Sequence, residues 1–244
     1  MIDYTAEAAT YDVSRGGEAR AAATAAAVER LLPEGTHALV DVACGTGIVT
    51  RRLRRPARAV LGVDRSRGMV ELAAGRLPHG VVFGDATRLP VGTARADAVV
   101  FIWLLHLLSD AAPALAEGAR ILRGGGVLLT TVDKDEAAFV VESDVAMVMA
   151  PVRRRYAARA ADDFDRVAEL AAGHGLRPAG EAAFAGIGQG RSPRQWHAAV
   201  SAGRFRWSRA ASPAEIAGLC RDLESLPDQD ATRPDPVYRL VALA

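Results

Sequence analysis

Cysteine, lysine and long apolar runs are scarce in this chain of 244 residues. The two cysteines, Cys44 and Cys220, indicate neither a disulfide framework nor a cysteine zinc site, so no metal and a reducing cytoplasm are expected. The chain lacks both the roughly 18-residue apolar run of a membrane span and a secretion signal, so no membrane association is expected. The net charge of +1 gives no overall field that would attract nucleic acid.

The length of the chain is sufficient for one large α/β domain with a buried core. We find no internal repeat, no low-complexity tract and no clear linker, so residues 1–244 are predicted to form a single domain. Within it, residues 1–36 are predicted as an N-terminal lid and helix, and residues 133–160 as an inserted segment.

A glycine turn around Gly45 and Gly47, within residues 39–50, is the most informative pattern in the sequence. A short apolar strand precedes it, and a helix is predicted to follow from about Ile48 to Arg55. Gly45 and Gly47 permit backbone angles that other residues resist, and they let a ligand approach the main chain closely. The free N–H groups of the predicted helix would face that ligand. The turn therefore predicts a nucleotide site.

Three carboxylates accompany this turn. Asp41 precedes it, and Asp64 and Asp85 end the next two predicted strands, with room for one crossover helix in each interval. In such a unit the acid after the second strand usually binds ribose hydroxyls. Thr50 replaces the third glycine of the dinucleotide fingerprint, which argues against a nicotinamide-dependent dehydrogenase.

The glycine turn and its acids resemble the first motifs of the class I S-adenosylmethionine-dependent methyltransferases, in their small-molecule, ubiquinone-biosynthesis-like branch. The resemblance covers about Tyr11 to Val132. It implies a Rossmann-like α/β fold whose mostly parallel seven-stranded sheet has helices on both faces and an antiparallel last strand. It also implies that S-adenosylmethionine binds and that S-adenosylhomocysteine is released. The residues that it assigns to the cofactor are Tyr11, Arg15, Asp41, Ala43, Cys44, Gly45, Gly47, Asp64, Arg65, Met69, Asp85, Ala86 and Phe101.

Individual roles follow from the same resemblance. Asp64 would hold the ribose, and the Asp85 carboxylate and the Ala86 N–H would bind the adenine. Met69 either packs on the adenine or belongs to the core. In the N-terminal lid, Tyr11 would close over the sulfonium and Arg15 would meet the methionine carboxylate. The alternative for that segment is a solvated leader.

His106 is the first candidate for catalysis, and Tyr11 is the second. Histidine takes up a proton near neutral pH, so His106 is a general base, a pocket-lining residue or a structural residue among leucines. Residues 133–160 are predicted to cap the substrate, or else to form a helix on the core. The predicted substrate residues are Trp103, His106, Met147 and Tyr156.

The remaining patterns set the expected strands and helices around the site. The fourth strand is predicted over Asp97–Trp103, and the glycines of Arg123–Gly126 are predicted to end the helix before the fifth strand. The basic run Arg51–Arg58 has no interleaved aromatic residues, which favours a solvated helix end over a nucleic-acid patch.

The sequence thus predicts methyl transfer to a small organic acceptor through an oxygen, nitrogen or carbon nucleophile, as in natural-product biosynthesis. In-line displacement would rely mainly on proximity and orientation. A monomer or homodimer that binds neither nucleic acid nor membrane is expected. The alternatives are an S-adenosylmethionine-binding enzyme for cyclisation or rearrangement, and a non-catalytic binding module.

Overall fold

A seven-stranded sheet organises the computed structural model, which describes residues 11–156 and 160–244. Its strands are β1 (Ala38–Val42), β2 (Ala59–Asp64), β3 (Val81–Phe83), β4 (Ala96–Phe101), β5 (Leu122–Val132), β6 (Pro178–Ala185) and β7 (Val237–Leu243). Their order is β3-β2-β1-β4-β5-β7-β6. The pairs among β1 to β5 are parallel, and β7 runs antiparallel to β5. The predicted Rossmann-like sheet with its antiparallel last strand is confirmed.

A 3₁₀ turn separates β1 from β2, helices separate β2 from β3 and β4 from β5, no helix lies among the described residues between β3 and β4, and further helices follow β5. Residues 11–14 are also helical. Serine hydroxyls begin several helices: Ser66 accepts a hydrogen bond from Met69 N, and Ser192 and Ser212 form complete capping boxes. The longer helices are α1 (Gly17–Leu31), α2 (Arg67–Arg76), α3 (Ala112–Ile121), α4 (Asp144–Arg155), α5 (Phe164–Ala172), α6 (Pro193–Ser201), α7 (Arg206–Ala210) and α8 (Pro213–Glu224).

Strand β1 lies at the centre of the site because it pairs on both sides. Val40 is opposite Leu61 of β2 and Val99 of β4 in parallel register. Four of its five residues are buried, as expected for a parallel strand that is covered on both faces. The carboxyl ends of β1, β2 and β4 are therefore neighbours, and the turns that follow them converge.

The chain divides into two compact units. The sheet unit contains the described residues up to Lys134, together with Ala161–Phe184 and Tyr238–Ala244. The helical unit contains Asp135–Ala160 and Ala185–Val237, so it includes most of the segment predicted as a substrate cap and a second segment that the sequence did not associate with it. A single domain and a cap function both stay predictions.

The helical unit has an aromatic core of its own. Trp196, Trp207 and Met149 are buried in it with aliphatic side chains of α4, α6 and α8. Trp196 packs on Phe139 and Phe205, with ring centroids 5.4 and 5.3 Å away. Among the described residues, no helix of either unit is long and apolar enough to cross a membrane.

Three predicted boundaries are wrong. The helix predicted from Ile48 to Arg55 is a single 3₁₀ turn, Thr50–Leu53, because consecutive β-branched residues precede it and Pro56 follows it. Strand β4 ends at Phe101 and not at Trp103. The glycines after Arg123 do not cap α3, which ends at Ile121; they lie inside β5, where the pairing with β4 shifts register.

Candidate functional site

A cavity of about 330 Å³ lies in the sheet unit, at the carboxyl ends of β1, β2 and β4. Its wall includes most of the residues that the sequence assigned to a cofactor. Those that line it are Tyr11, Asp41, Ala43, Cys44, Gly45, Asp64, Arg65, Met69, Asp85 and Ala86. The spacing of the three acids along the chain therefore does bring them to one cavity.

The turn after β1 forms the floor of this cavity through its backbone conformation. Ala43, Gly45 and Gly47 all have positive φ, at 60°, 57° and 74°. Cys44 N donates to Val63 O of β2 at 3.1 Å, which ties the turn to the neighbouring strand. Gly47 faces away from the cavity, because a Cβ there would lie 3.1 Å from the side chain of Leu77. Gly47 is thus needed for close packing against α2 and is not part of the cavity wall.

Asp64 connects the ends of β1 and β2. Its Oδ2 accepts from Gly45 N at 2.9 Å, and its Oδ1 accepts from Ser66 N at 2.8 Å. Burial raises the pKa of this carboxyl, and the two backbone N–H groups oppose that rise. A carboxylate offers about four acceptor positions, so Asp64 retains capacity for the two hydroxyls of a ribose.

Asp41 is only 2% exposed, and its Oδ2 accepts from the Thr50 hydroxyl at 2.6 Å. Burial raises the pKa of Asp41 to about 7. Through this bond Asp41 fixes the 3₁₀ turn that follows the glycines, so it shapes the cavity while also lining it.

Asp85 has the opposite electrostatic character. The hydroxyl and the backbone N–H of Thr87 both donate to its Oδ1 at 2.7 Å, and these bonds lower the pKa of Asp85. The carboxylate is therefore ionised at neutral pH. It can accept a hydrogen bond from an amino group in the cavity.

Arg20 is a wall residue that the sequence analysis missed. It is 7% exposed, and its guanidinium carbon lies 4.1 Å above the ring centroid of Trp103. Burial lowers the pKa of Arg20, and within residues 11–156 and 160–244 the guanidinium makes no ion pair. Arg20, Thr24 and Val28 are spaced four residues apart and lie on the same buried face of α1. This spacing is the sequence signal that could have identified Arg20 as a buried residue.

Arg15, by contrast, is not in the cavity wall; its guanidinium carbon lies 5.5 Å from the ring centroid of Tyr11. Phe101 is fully buried in the core, where its ring packs against Gly118 of α3. A Cβ at that glycine would lie 2.9 Å from the Phe101 ring. Phe101 is not among the wall residues of the cavity, and its assignment to the cofactor stays a prediction.

Trp103 lines the cavity in a strained backbone conformation, with φ at 53°. The backbone N–H of Trp103 donates to the Thr131 hydroxyl at 2.8 Å. The indole ring contacts the rings of Phe184 and Tyr238 edge-on, with centroids 5.8 and 5.4 Å away. These contacts fix the indole beside Arg20. Trp103, which the sequence predicts as a substrate residue inside β4, lies in the cavity wall after the end of that strand, and its contact with a substrate stays a prediction.

The other candidates are not among the residues that line this wall. His106 lies in a 3₁₀ turn, and its neighbours Leu104, Leu107 and Leu108 line the cavity while His106 does not. Met147 and Tyr156 belong to the helical unit. Met147 is 69% exposed, and the Tyr156 hydroxyl donates to Glu215 at 2.6 Å.

Four arginines of the basic run after the glycine turn form ion pairs within the sheet unit. Arg51 and Arg52 both pair with Glu18 of α1. Arg58 pairs with Glu29 at 2.7 Å, and Arg55 pairs with the same carboxylate at 3.0 Å. These ion pairs give the run a structural explanation. Among the described residues, no group of three or more histidine, cysteine or acidic side chains could hold a metal ion.

Comparison with known proteins identifies the central part of the chain. Residues 40–130 match the family model described as a methyltransferase domain. The chain is similar to malonyl-[acyl-carrier protein] O-methyltransferase of Hahella chejuensis, with 31% identity over 145 residues. That match covers 57% of this chain and 51% of the relative, so the chain spans about half the length of this curated protein.

Two solved structures share the fold. One is the [4+2]-cyclase SpnF, with a TM-score of 0.53 and 20% identity over 91% of this chain and 80% of that one. The other is geranyl diphosphate C-methyltransferase from Streptomyces coelicolor in complex with S-adenosylhomocysteine. Its TM-score is 0.51, with 17% identity over 91% of this chain and 76% of the other. Residues 40–130 are thus a methyltransferase domain, and the predicted relationship to the class I S-adenosylmethionine-dependent methyltransferases is confirmed.

Proposed function

We propose that the chain transfers the methyl group of S-adenosylmethionine to a small organic acceptor and releases S-adenosylhomocysteine. The observation that carries this proposal is the convergence of Asp41, Asp64 and Asp85 on one cavity of a methyltransferase domain. When bound, S-adenosylmethionine supplies an electrophilic methyl group on a sulfonium.

The residues of the wall suit the parts of this donor. Asp64 would bind the ribose hydroxyls, while Asp85, the Ala86 N–H and Met69 would bind the adenine. Arg20 is a buried cation that faces the cavity, where a carboxylate would offset the cost of its burial. We assign the methionine carboxylate to Arg20 in place of Arg15 for this reason.

The reaction requires little chemistry from the protein. Correct placement of the acceptor and the methyl group can supply roughly 7–11 kcal/mol of the barrier reduction. Tyr11 and Trp103 would exclude water around the reacting atoms. His106 is outside the described wall, and its role as a general base, a pocket-lining residue or a structural residue stays open.

The acceptor is proposed at the level of its class. The curated relative is named for an oxygen acceptor and the Streptomyces structure for a carbon acceptor, so the domain accommodates different nucleophiles. Apolar Ile102, Leu104 and Leu107 in the wall favour an organic molecule. Met147 and Tyr156 of the predicted cap remain proposed substrate contacts. A cytoplasmic monomer or homodimer in natural-product biosynthesis remains our working assignment.

Binding of S-adenosylhomocysteine by calorimetry is the direct test, with Asp64→Ala as the key variant. Hydrogen bonds to a charged group are each worth about 1.5–3 kcal/mol, so we expect affinity to fall roughly tenfold or more. Arg20→Met should cause a loss of similar size. Asp230→Asn removes an exposed carboxylate of the helical unit and should change nothing. Undiminished affinity in Asp64→Ala would remove the ribose assignment.

Product analysis separates methyl transfer from the second candidate function. The cyclase among the solved structures shows that this fold also accommodates non-methyl chemistry. A product that is one methylene heavier, formed together with S-adenosylhomocysteine, supports methyl transfer. An isomeric product without S-adenosylhomocysteine supports cyclisation or rearrangement. Cofactor binding without turnover of any acceptor favours a binding module.

A further inference from the structure

The segment Tyr11–Arg15 joins α1 through a sharp change of direction. Two consecutive glycines, Gly16 and Gly17, have positive φ of 86° and 53°. Residues with a Cβ resist this conformation, so the pair breaks the helical path. Within the part of the chain that the structure describes, a Cβ at Gly17 would have the Asp12 carbonyl oxygen as its nearest neighbour, at 3.8 Å. The glycine pair therefore sets the direction in which the segment leaves α1.

Asp12 connects this segment to the glycine turn and to α2. Its Oδ1 accepts from the Thr46 hydroxyl at 2.6 Å, and its Oδ2 accepts from the Arg76 guanidinium at 2.6 Å. Arg76 also donates to the Thr46 carbonyl oxygen at 2.8 Å, which closes a three-membered network. We call Asp12, Thr46 and Arg76 the Asp12 latch. It joins the N-terminal segment to the glycine turn and to the last turn of α2.

The latch adjoins the cavity on both sides. Thr46 is 2% exposed and lies in the turn whose Gly45 N–H binds Asp64. Tyr11, the residue before Asp12, is part of the cavity wall. Whatever holds Asp12 therefore also holds Tyr11 over the cavity.

We propose that Asp12 is a positioning residue that keeps Tyr11 over the cavity through Thr46 and Arg76 and so slows departure of the bound methyl donor. This inference rests on the proposed function. The side chains of Asp12 and Arg76 are 19% and 30% exposed, so solvent screens their attraction only in part. Loss of one such charge-assisted contact should speed release by about tenfold.

The first experiment measures dissociation of S-adenosylhomocysteine from the full chain by stopped-flow displacement. Asp12→Asn should release it about tenfold faster than the wild type, with a smaller change in the association rate. Glu29→Gln is the matched control, because Glu29 is 25% exposed and pairs with arginines at the other end of α1. Its release rate should equal that of the wild type. Equal rates in Asp12→Asn and the wild type would overturn the proposal.

A double-mutant cycle separates the latch from a general loss of stability. Arg76→Met alone should also speed release, but it should add little to Asp12→Asn, because either change breaks the same network. Fully additive effects would overturn the latch. Thermal unfolding of each variant, measured without ligand, identifies any variant whose fold is damaged, and Asp12→Glu then tests whether the restored charge slows release again.

Trypsin cleavage after Arg15 in the ligand-free protein gives a readout that does not need the cofactor. Asp12→Asn should be cut several-fold faster there, and Glu29→Gln should be cut at the wild-type rate. If the wild type binds no S-adenosylhomocysteine but Asp12→Asn is cut faster, the latch stands and the proposed function fails. Unchanged cleavage in Asp12→Asn overturns the latch regardless of the cofactor.

Discussion

The three acids of the cavity have different electrostatic environments, although the sequence presents them alike. Asp41 is buried with a hydroxyl as its partner, Asp64 is held by two backbone N–H groups, and Asp85 is bound by Thr87. Burial raises the pKa of the first two, whereas hydrogen bonds lower the pKa of the third. Asp85 therefore carries the full negative charge, and Asp41 titrates near neutrality.

This difference predicts a pH-dependent stability that Asp41→Asn should remove. The pKa of Asp41 rises from 3.8 to about 7 on folding. Between those values the folded state holds a proton that the unfolded state has lost, so the free energy of unfolding falls as pH rises. Each pKa unit corresponds to about 1.4 kcal/mol, and the loss across this window is at most a few kcal/mol.

Urea unfolding of the wild type and Asp41→Asn from pH 4.5 to pH 7.5 measures the effect. The stability of the wild type relative to the variant should decrease steadily with pH. Asp230→Asn serves as the control, since its carboxylate is exposed and its pKa is lowered by Arg194, so it has no such falling contribution. A difference between wild type and Asp41→Asn that is constant across this range would contradict the buried titration.

At the scale of elements, strand positions were predictable and turn conformations were not. Apolar runs between acids and glycines located β1, β2 and β3 to within a residue or two, because buried parallel strands require such runs. The helix predicted after the glycine turn is only one 3₁₀ turn, Thr50–Leu53, since its length depends on packing that the pattern does not contain.

The same limit explains which site residues the sequence missed. Asp64 and Asp85 follow strands, and strand ends converge by rule in a parallel sheet, so their placement was predictable. Arg20 and Asp12 reach the site from the N-terminal segment, whose path is set by two glycines of positive φ and by long-range contacts. The helical repeat marks Arg20 as buried, but no local pattern in the sequence encodes the long-range contacts of Asp12 with Thr46 and Arg76.

The packing of α2 against the glycine turn makes Gly47→Ala a sharp test at this scale. Gly47 has φ at 74°, and an added Cβ would lie 3.1 Å from Leu77 and 3.2 Å from Ala73. Positive φ costs about 1–2 kcal/mol and overpacking about 1–3 kcal/mol, so we expect the free energy of unfolding to fall by roughly 2–4 kcal/mol.

Gly75→Ala is the matched control, because Gly75 lies in α2, the helix against which Gly47 packs. Gly75 has open space at the Cβ position, and alanine favours a helix interior by up to about 1 kcal/mol. That variant should be as stable as the wild type or more so in urea unfolding. If both substitutions lowered the free energy of unfolding equally, the close packing of Gly47 against α2 would not explain the effect of Gly47→Ala.

At the scale of the whole molecule, every described residue of the cavity wall belongs to the sheet unit. Ligand binding stabilises the state that binds, by about 2.7 kcal/mol when free ligand is 100 times its dissociation constant. Saturating S-adenosylhomocysteine should therefore slow hydrogen exchange at the backbone amides of Gly45, Ser66 and Ala86, which lie in or beside the wall. The Asp64→Ala variant at the same ligand concentration should show little of this protection. Protection confined to peptides of α6 and α8 in the helical unit would place the binding site elsewhere and would contradict the cavity as the cofactor site.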